Sequence, residues 1–145
     1  MPIETYRPAN VPEYYQQNIP NSENVINVIP FSFSASFPGP FVAGTAQQQN
    51  IQTLADSDFL CISFQSDNVS VVPIVLLRDL TTNWPLMNVA VPVVSIFGTA
   101  SLPYFLPIPW MISKKTSIEI TMTPTAALAT AFTLTLSGLR IFRKN

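Results

Sequence analysis

The 145-residue sequence predicts an all-β protein: an antiparallel β-sandwich of jelly-roll type preceded by an extended, proline-rich N-terminal arm. Three observations predict it. Apolar residues recur with period two rather than 3.6, turn-forming residues arrive roughly every eight to twelve positions, and aromatic residues mix with prolines through the first third of the chain. At this length one core and one sandwich domain are expected, with the arm over residues 1–45 and the sandwich over residues 46–145.

The arm comes first. It carries prolines from Pro2 to Pro40, the adjacent Tyr14 and Tyr15, and the run FSFSASFPGPF. Phe31, Phe33, Ala35 and Phe37 share one face, so this run can form a strand. Pro30, Pro38 and Pro40 stop it from entering a sheet interior. A segment so rich in proline cannot build its own core, yet it is too aromatic for a solvated tail. Burial against its own domain or a neighbouring chain is expected, with Tyr14, Tyr15, Phe31, Phe33, Phe37 and Phe41 as candidate contacts.

The sandwich elements follow in order. Gln47 to Leu54 reads as a polar opening strand and Phe59 to Phe64 as a short apolar one. Val69 to Leu77 is a nearly continuous apolar strand that Pro73 confines to an edge or a bulge. Val89 to Phe97 reads as extended, again with a proline, Pro92. Ile118, Ile120 and Met122 alternate with Ser117, Glu119, Thr121 and Thr123, the mark of a half-buried strand. TPTAALAT is a turn. In the last segment Phe132, Leu134 and Leu136 point one way, and Leu139 and Ile141 carry the apolar set on at odd positions. A bulge or bend at Gly138 would restore the face.

Composition excludes several function classes. Charged residues make up 10% of the chain, against about 25% in typical domains. Seven basic and eight acidic residues are thinly spread, so no patch exists to neutralise phosphates and nucleic acid is not an expected partner. Arg140, Arg143 and Lys144 read as a solvated end. Histidine is absent and Cys61 is the single cysteine, which removes His-dependent triads, imidazole or paired-thiolate zinc sites and intrachain disulfides. Cys61, inside FLCISF, reads as a small buried hydrophobe. No enzyme activity, cofactor or metal is expected. MPIETYRPAN places acid, arginine and proline where a signal peptide is apolar, so folding in a cytoplasm is expected. Asn68-Val69-Ser70 matches a glycosylation acceptor, which means nothing without secretion.

Residues 80–113 contain no charge. Pro85, Pro92, Pro103, Pro107 and Pro109 forbid a spanning helix there, so a membrane is excluded as partner. Within this stretch, Tyr104, Phe105 and Trp110 among the prolines of PYFLPIPWMIS offer area to bury against the sandwich on one side and a neighbouring subunit on the other. Trp84 joins them as a candidate interface anchor. The polar motifs carry bland readings: Asp56 and Asp58 as strand-entry residues, Arg78-Asp79 as a structural pair, Lys114-Lys115 as a solvated turn. The rival reading is a recognition module that stacks host sugar on Trp84, Trp110 and Tyr104 beside the two aspartates.

The opening ADSDF, the long run LRDLTTNWPLMNVAVPVVSIFGTASLPYFLPIPWMISKKTSIEITMT and the closing TLTLSGLRIF resemble, over roughly residues 54–142, small virion proteins of tailed bacteriophages. The resemblance lies in Arg78, in Val91-Pro92-Val93 with Ile96-Phe97-Gly98, in Pro103–Pro109, in Ser117–Thr123 and in Gly138–Phe142. It implies a jelly-roll sandwich that decorates or cements a capsid, with the major capsid protein and its own copies, as a homotrimer, for partners. A minor head–tail or tail protein with the same sandwich is the alternative it leaves open. A virion location after assembly in the host cytoplasm follows from it. The residues before 45 are outside the resemblance.

Overall fold

The computed structural model describes residues 19–20, 24–67, 73–99, 102–127 and 131–144. Among them are β1 (Val25–Phe37), β2 (Gln47–Gln52), β3 (Asp58–Ser66), β4 (Ile74–Asp79), β5 (Trp84–Pro85), β6 (Val91–Pro92), the single helical turn α1 (Val93–Ile96), β7 (Tyr104–Ile112), β8 (Ser117–Thr123) and β9 (Phe132–Arg143). One sheet runs β1-β9-β3-β7 and the other β2-β8-β4-β5, with β6 also on β4. Every strand pairing is antiparallel: β1 with β9, β2 with β8, β3 with β7, and β4 with both β5 and β6. The chain is therefore one long ribbon, doubled back after β4 and wound so that successive strand pairs fall in alternate sheets. Pairing of β3 with β9 and of β4 with β8 closes each sheet. That winding is a jelly roll.

Period two explains why these segments bury as they do. In β8, Ile118, Ile120 and Met122 are fully buried while the residues between them are half-exposed, and in β9 Phe132, Leu134 and Leu136 do the same. They meet Val75, Leu77, Phe37 and Phe59 between the sheets. On the outer face of the first sheet, β1 and β9 are joined by hydroxyl pairs instead: Ser32–Ser137 and Ser34–Thr135 at 3.0 Å, Ser36–Thr133 at 3.2 Å. Further along that outer face a second cluster packs Ile19, Val25, Val28, Leu60 and Ile141.

This second cluster corrects the reading of Gly138. β9 keeps its phase from Phe132 to Phe142, in unbroken register with Asn27 to Phe37 of β1, so Leu139 and Ile141 face outward into the second cluster and do not rejoin the first. The bulge lies on the partner strand, where register slips between Cys61 and Ser63. Gly138 is what admits it: a Cβ there would lie 1.9 Å from the Leu60 carbonyl oxygen.

Three other expectations change. β1 is a full edge strand, paired from Val25 to Phe37, so the sandwich begins about twenty residues before the boundary expected at 45. Proline misled there, because an edge strand tolerates Pro30 in a way that a central one does not. β4 is no edge strand, since it has neighbours on both sides; Pro73 stands just before it, its carbonyl accepting from the Val93 N–H at 2.9 Å. Val89 to Phe97 is not continuously extended. After β6 the chain makes one helical turn, closed by the Phe97 N–H donating to the Val93 carbonyl at 2.7 Å, and crosses from the second sheet to the first. There Phe97 stacks on Phe64 at 4.8 Å. Parts of the Val69–Leu77 and TPTAALAT readings, and Asn68-Val69-Ser70, lie outside the described residues.

Cys61 is fully buried, and burial pushes its thiol up to about 12. The folded chain should therefore resist iodoacetamide at pH 8, where a free thiol is partly ionised, and react on unfolding in guanidinium. Labelling of the native chain at the rate of the unfolded one, read by mass spectrometry, would contradict the buried placement.

Candidate interaction surface

β7 ends the first sheet, and its prolines shape it. Cys61 is opposite Trp110 and the next pair is Ser63 with Phe105, so Leu106 to Pro109 arch away opposite Ile62 alone. Proline has no N–H to give β3, and two of them two residues apart make continuous pairing impossible. Ile108 stands at the crest of the arch, 72% exposed. Gly98 holds the start of the strand in place. The Ser66 N–H donates to its carbonyl at 2.7 Å, and a Cβ on it would lie 2.0 Å from the Leu102 carbonyl oxygen.

Behind the arch lies an apolar cleft of ≈ 320 Å³. Phe64 and Leu77, one from each sheet and both buried, line it together with Leu86, Met87, Leu106, Trp110 and the exposed Tyr104 and Ile108. The cleft exists because the sandwich is open on this side: β5 and β6 are two residues each, too short to cover the second sheet's margin, and the arch draws β7 outward. Trp84, Val89, Val94, Leu102 and Phe105 are exposed as well, Leu102 at 79% and Trp84 at 69%. All of them come from the charge-free stretch 80–113. Exposed apolar area makes this stretch a candidate interaction surface, because leaving it in water costs free energy that a partner could recover.

The sequence-predicted contacts divide accordingly. Tyr104 and Trp110 line the cleft, and Trp84 and Phe105 are exposed on the same charge-free stretch. Phe31 and Phe33 are half-buried against the main core, Phe33 edge-on to Phe59 at 4.8 Å. Phe37 and Phe41 are buried in the chain's own core and offer no area to a second chain, which corrects their candidacy: each completes the face that Phe31 and Phe33 begin. Tyr14 and Tyr15 lie outside the described residues. Sequence reasoning missed Leu102, Ile108, Val89, Val94, Leu86 and Met87. The absence of charge from 80 to 113 was the signal that could have found them.

The charged residues assemble elsewhere. Arg140 and Arg143, read as a solvated end, instead hold the two aspartates: Arg140 donates to Asp56 at 2.8 Å and to Ser57 Oγ at 3.0 Å, and Arg143 donates to Asp58 at 2.7 Å. Arg140 also lies over the rings of Phe31 and Phe142, at 5.0 and 4.8 Å. Asp58 accepts the Lys114 N–H at 2.9 Å, at the expected Lys114-Lys115 turn. The Arg78-Asp79 pair does not form as such: Asp79 accepts the N–H groups of Thr81 and Thr82, and Arg78 sits opposite Glu119 on β8. The pocket that Asp56 and Asp58 line shares no residue with the apolar cleft, so the aspartates and the aromatic trio of the sugar-binding reading are not brought together.

The Arg140 hydrogen bond holds the Asp56 carboxyl below its ordinary 3.8. A carboxyl whose pKa falls on folding stabilises the folded state above that ordinary value and loses the contribution as pH falls through the lowered one. Asp56 is well exposed, so the effect is small. Urea midpoints of the wild type and Asp56→Asn should separate slightly above about pH 4 and converge in stronger acid. A constant separation down to the lowest pH would show that the pair is not coupled to folding.

Among the described residues, no cluster of acidic, His or Cys side chains could hold a metal ion, and no helix is long and apolar enough to cross a membrane. No protein-family model and no curated protein matches the chain. Among the solved structures similar to it are two of a virus or a subviral particle. The crystal structure of the infectious bursal disease virus VP2 subviral particle has a TM-score of 0.36 and 11% identity over 82% of this chain and 34% of that one. The structure of the infectious bursal disease virus Gx strain has a TM-score of 0.33 and 15% identity, over 83% and 33%. The chain spans about a third of the length of each. At these TM-scores the likeness carries no argument about function, and the jelly roll rests on the strand pairing.

Proposed function

We propose that the chain is a non-enzymatic structural subunit of a virion. In its finer form it is a decoration or cement protein on the head of a tailed bacteriophage, which assembles as a homotrimer and stabilises the head by binding the major capsid protein. The exposed apolar flank around the β7 arch carries this reading. Its aromatic and aliphatic side chains, with no charge among them, have the composition of the central part of a stable interface, where desolvating a charge would cost too much. The resemblance in sequence pattern points the same way. A chain with no histidine, one sealed thiol and Asp56 and Asp58 held by arginines has little with which to catalyse.

The test is attachment to heads assembled without the chain. Phe105→Asp with Ile108→Asp changes two exposed side chains, so the fold should hold to within about 0.5 kcal/mol, while attachment weakens at least about tenfold. Undiminished attachment by a folded double variant would remove the flank from the interface. If purified particles lacked the protein while a glycan array scored hits that Trp84→Ala abolished, a recognition module would replace the structural reading.

A further inference from the structure

We propose that β1 is a docking edge for a second copy of this chain, with residues 31–37 of the two copies paired antiparallel about Ser34 so that their first sheets join into one. β1 stands at the end of that sheet, and among the described residues no strand lies beyond it. The direction of its backbone groups makes it a docking edge. The Val28 N–H donates to the Asn27 side chain at 2.9 Å rather than to β9, and Pro30, which has no N–H, sits in unbroken register opposite Leu139. Both therefore face away from β9, and because an antiparallel ladder alternates residue by residue, so do Ser32, Ser34 and Ser36. Edge strands are commonly blunted by charge, proline or a bulge. The first half of β1 has such protection in the slip between Val25 and Asn27, in the Asn27 cap and in Pro30. From Phe31 to Phe37 it has none: the segment bears no charge and no proline, and three serines turn their backbone groups outward.

The residues between Pro30 and Pro38 suit a copy of themselves. FSFSASF reads nearly the same in both directions about Ser34, and the two prolines stand at equal distance on either side of it. A two-fold contact brings residue i to residue j and j to i, so such a segment meets itself in register. Ser34 then faces Ser34, Ser32 faces Ser36, and Phe33 faces Ala35, a large side chain against a small one. Each serine pair exchanges two N–H···O bonds, and the ladder ends where the prolines withhold a donor. The outer face continues the same chemistry. Ser32, Ser34 and Ser36 already pair by hydroxyl with Ser137, Thr135 and Thr133 at 3.0, 3.0 and 3.2 Å, and a hydroxyl can accept a further bond from the hydroxyl of a second copy. β7, with its exposed apolar side chains, lies at the opposite end of the sheet, so the two contacts do not compete and this one does not rest on the virion reading.

Disulfide trapping in the full-length chain tests the register, and the buried Cys61 leaves the background clean. The Cα atoms of a directly opposed, hydrogen-bonded pair lie about 5.5 Å apart, within the ~4.4–6.8 Å that a disulfide spans. With oxidised glutathione, Ser34→Cys should therefore link to itself. Ser32→Cys alone should not, because its two copies would lie about 14 Å apart along the strands. A mixture of Ser32→Cys with Ser36→Cys should give the mixed dimer at least about tenfold above either variant alone. Equal yields from all of these would overturn the pairing. Sedimentation equilibrium gives a second measurement. The wild type should self-associate as its concentration rises, and Ser34→Glu, which sets like charges face to face from an exposed position, should weaken that association at least about tenfold with its circular dichroism unchanged. A wild type that stays monomeric at every concentration would rule out the contact. So would association that Phe105→Asp with Ile108→Asp abolishes and Ser34→Glu leaves intact, which would place it on the apolar flank instead.

Discussion

Gly138→Ala is expected to cost the chain a large share of its stability. In a strand with room for it, exchanging glycine for alanine gains about 0.5–1 kcal/mol by reducing the entropy of the unfolded chain. Here the sign reverses. The added Cβ would sit 1.9 Å from the Leu60 carbonyl oxygen, 2.9 Å from its carbon and 3.0 Å from the Cys61 Cα. All three are backbone atoms of a central strand, and Leu60 and Cys61 are fully buried, so neither can swing aside as a flexible side chain would. Relief would require β3 and β9 to part at the bulge, breaking the pairing that closes the first sheet. A cost on the order of 4–5 kcal/mol is expected, a large share of the ~5–15 kcal/mol that holds a domain of this kind together. Urea unfolding followed by far-UV circular dichroism measures it. A midpoint within error of the wild type would mean that β3 does not pass this close to β9.

The next largest loss is expected for Phe59→Ala. Phe59 is 1% exposed and reaches from β3 into the space between the sheets, where Phe33 meets it edge-on at 85°. Removing the ring forfeits its transfer free energy and leaves a void that two hydrogen-bonded sheets cannot collapse to fill, for a loss of about 3–5 kcal/mol. Phe33→Ala should cost less because Phe33 is only half-buried. The pair should couple by about 0.5–1.5 kcal/mol in a double-mutant cycle. Additive losses would show that the edge-on contact contributes nothing beyond burial. Both variants concern stability alone, so a folded fraction of Phe59→Ala should still attach to heads, unlike the Phe105→Asp, Ile108→Asp pair.

Local pattern carried much of the fold. Alternation in Ser117–Thr123 and Phe132–Leu136 marked β8 and β9 because period two is a property of the strand itself and needs no knowledge of its partner. Pairings between distant parts of the chain were not legible in the same way. Whether Pro30 lies in an arm or in a strand depends on whether β1 is at an edge, and that is decided by β9, more than a hundred residues later. Arg140 and Arg143 looked like a solvated end for the same reason: Asp56 and Asp58 come to them only through the β3–β9 pairing.

The exposure of apolar side chains along residues 103–113 shows both sides of this division. By itself the sequence determined an all-β chain, a segment barred by its prolines from a helix or a full sheet position, and a stretch from 80 to 113 without charge. These follow from backbone chemistry and composition, which act residue by residue. Tertiary structure alone decided which of the aromatics are spent on the core and which are left exposed. Phe37 and Phe41 disappear between the sheets, while Phe105 and Ile108 are lifted clear where the proline arch leaves β3. Burial is a property of the packed whole: an aromatic side chain is core or surface according to what the winding of the ribbon sets against it.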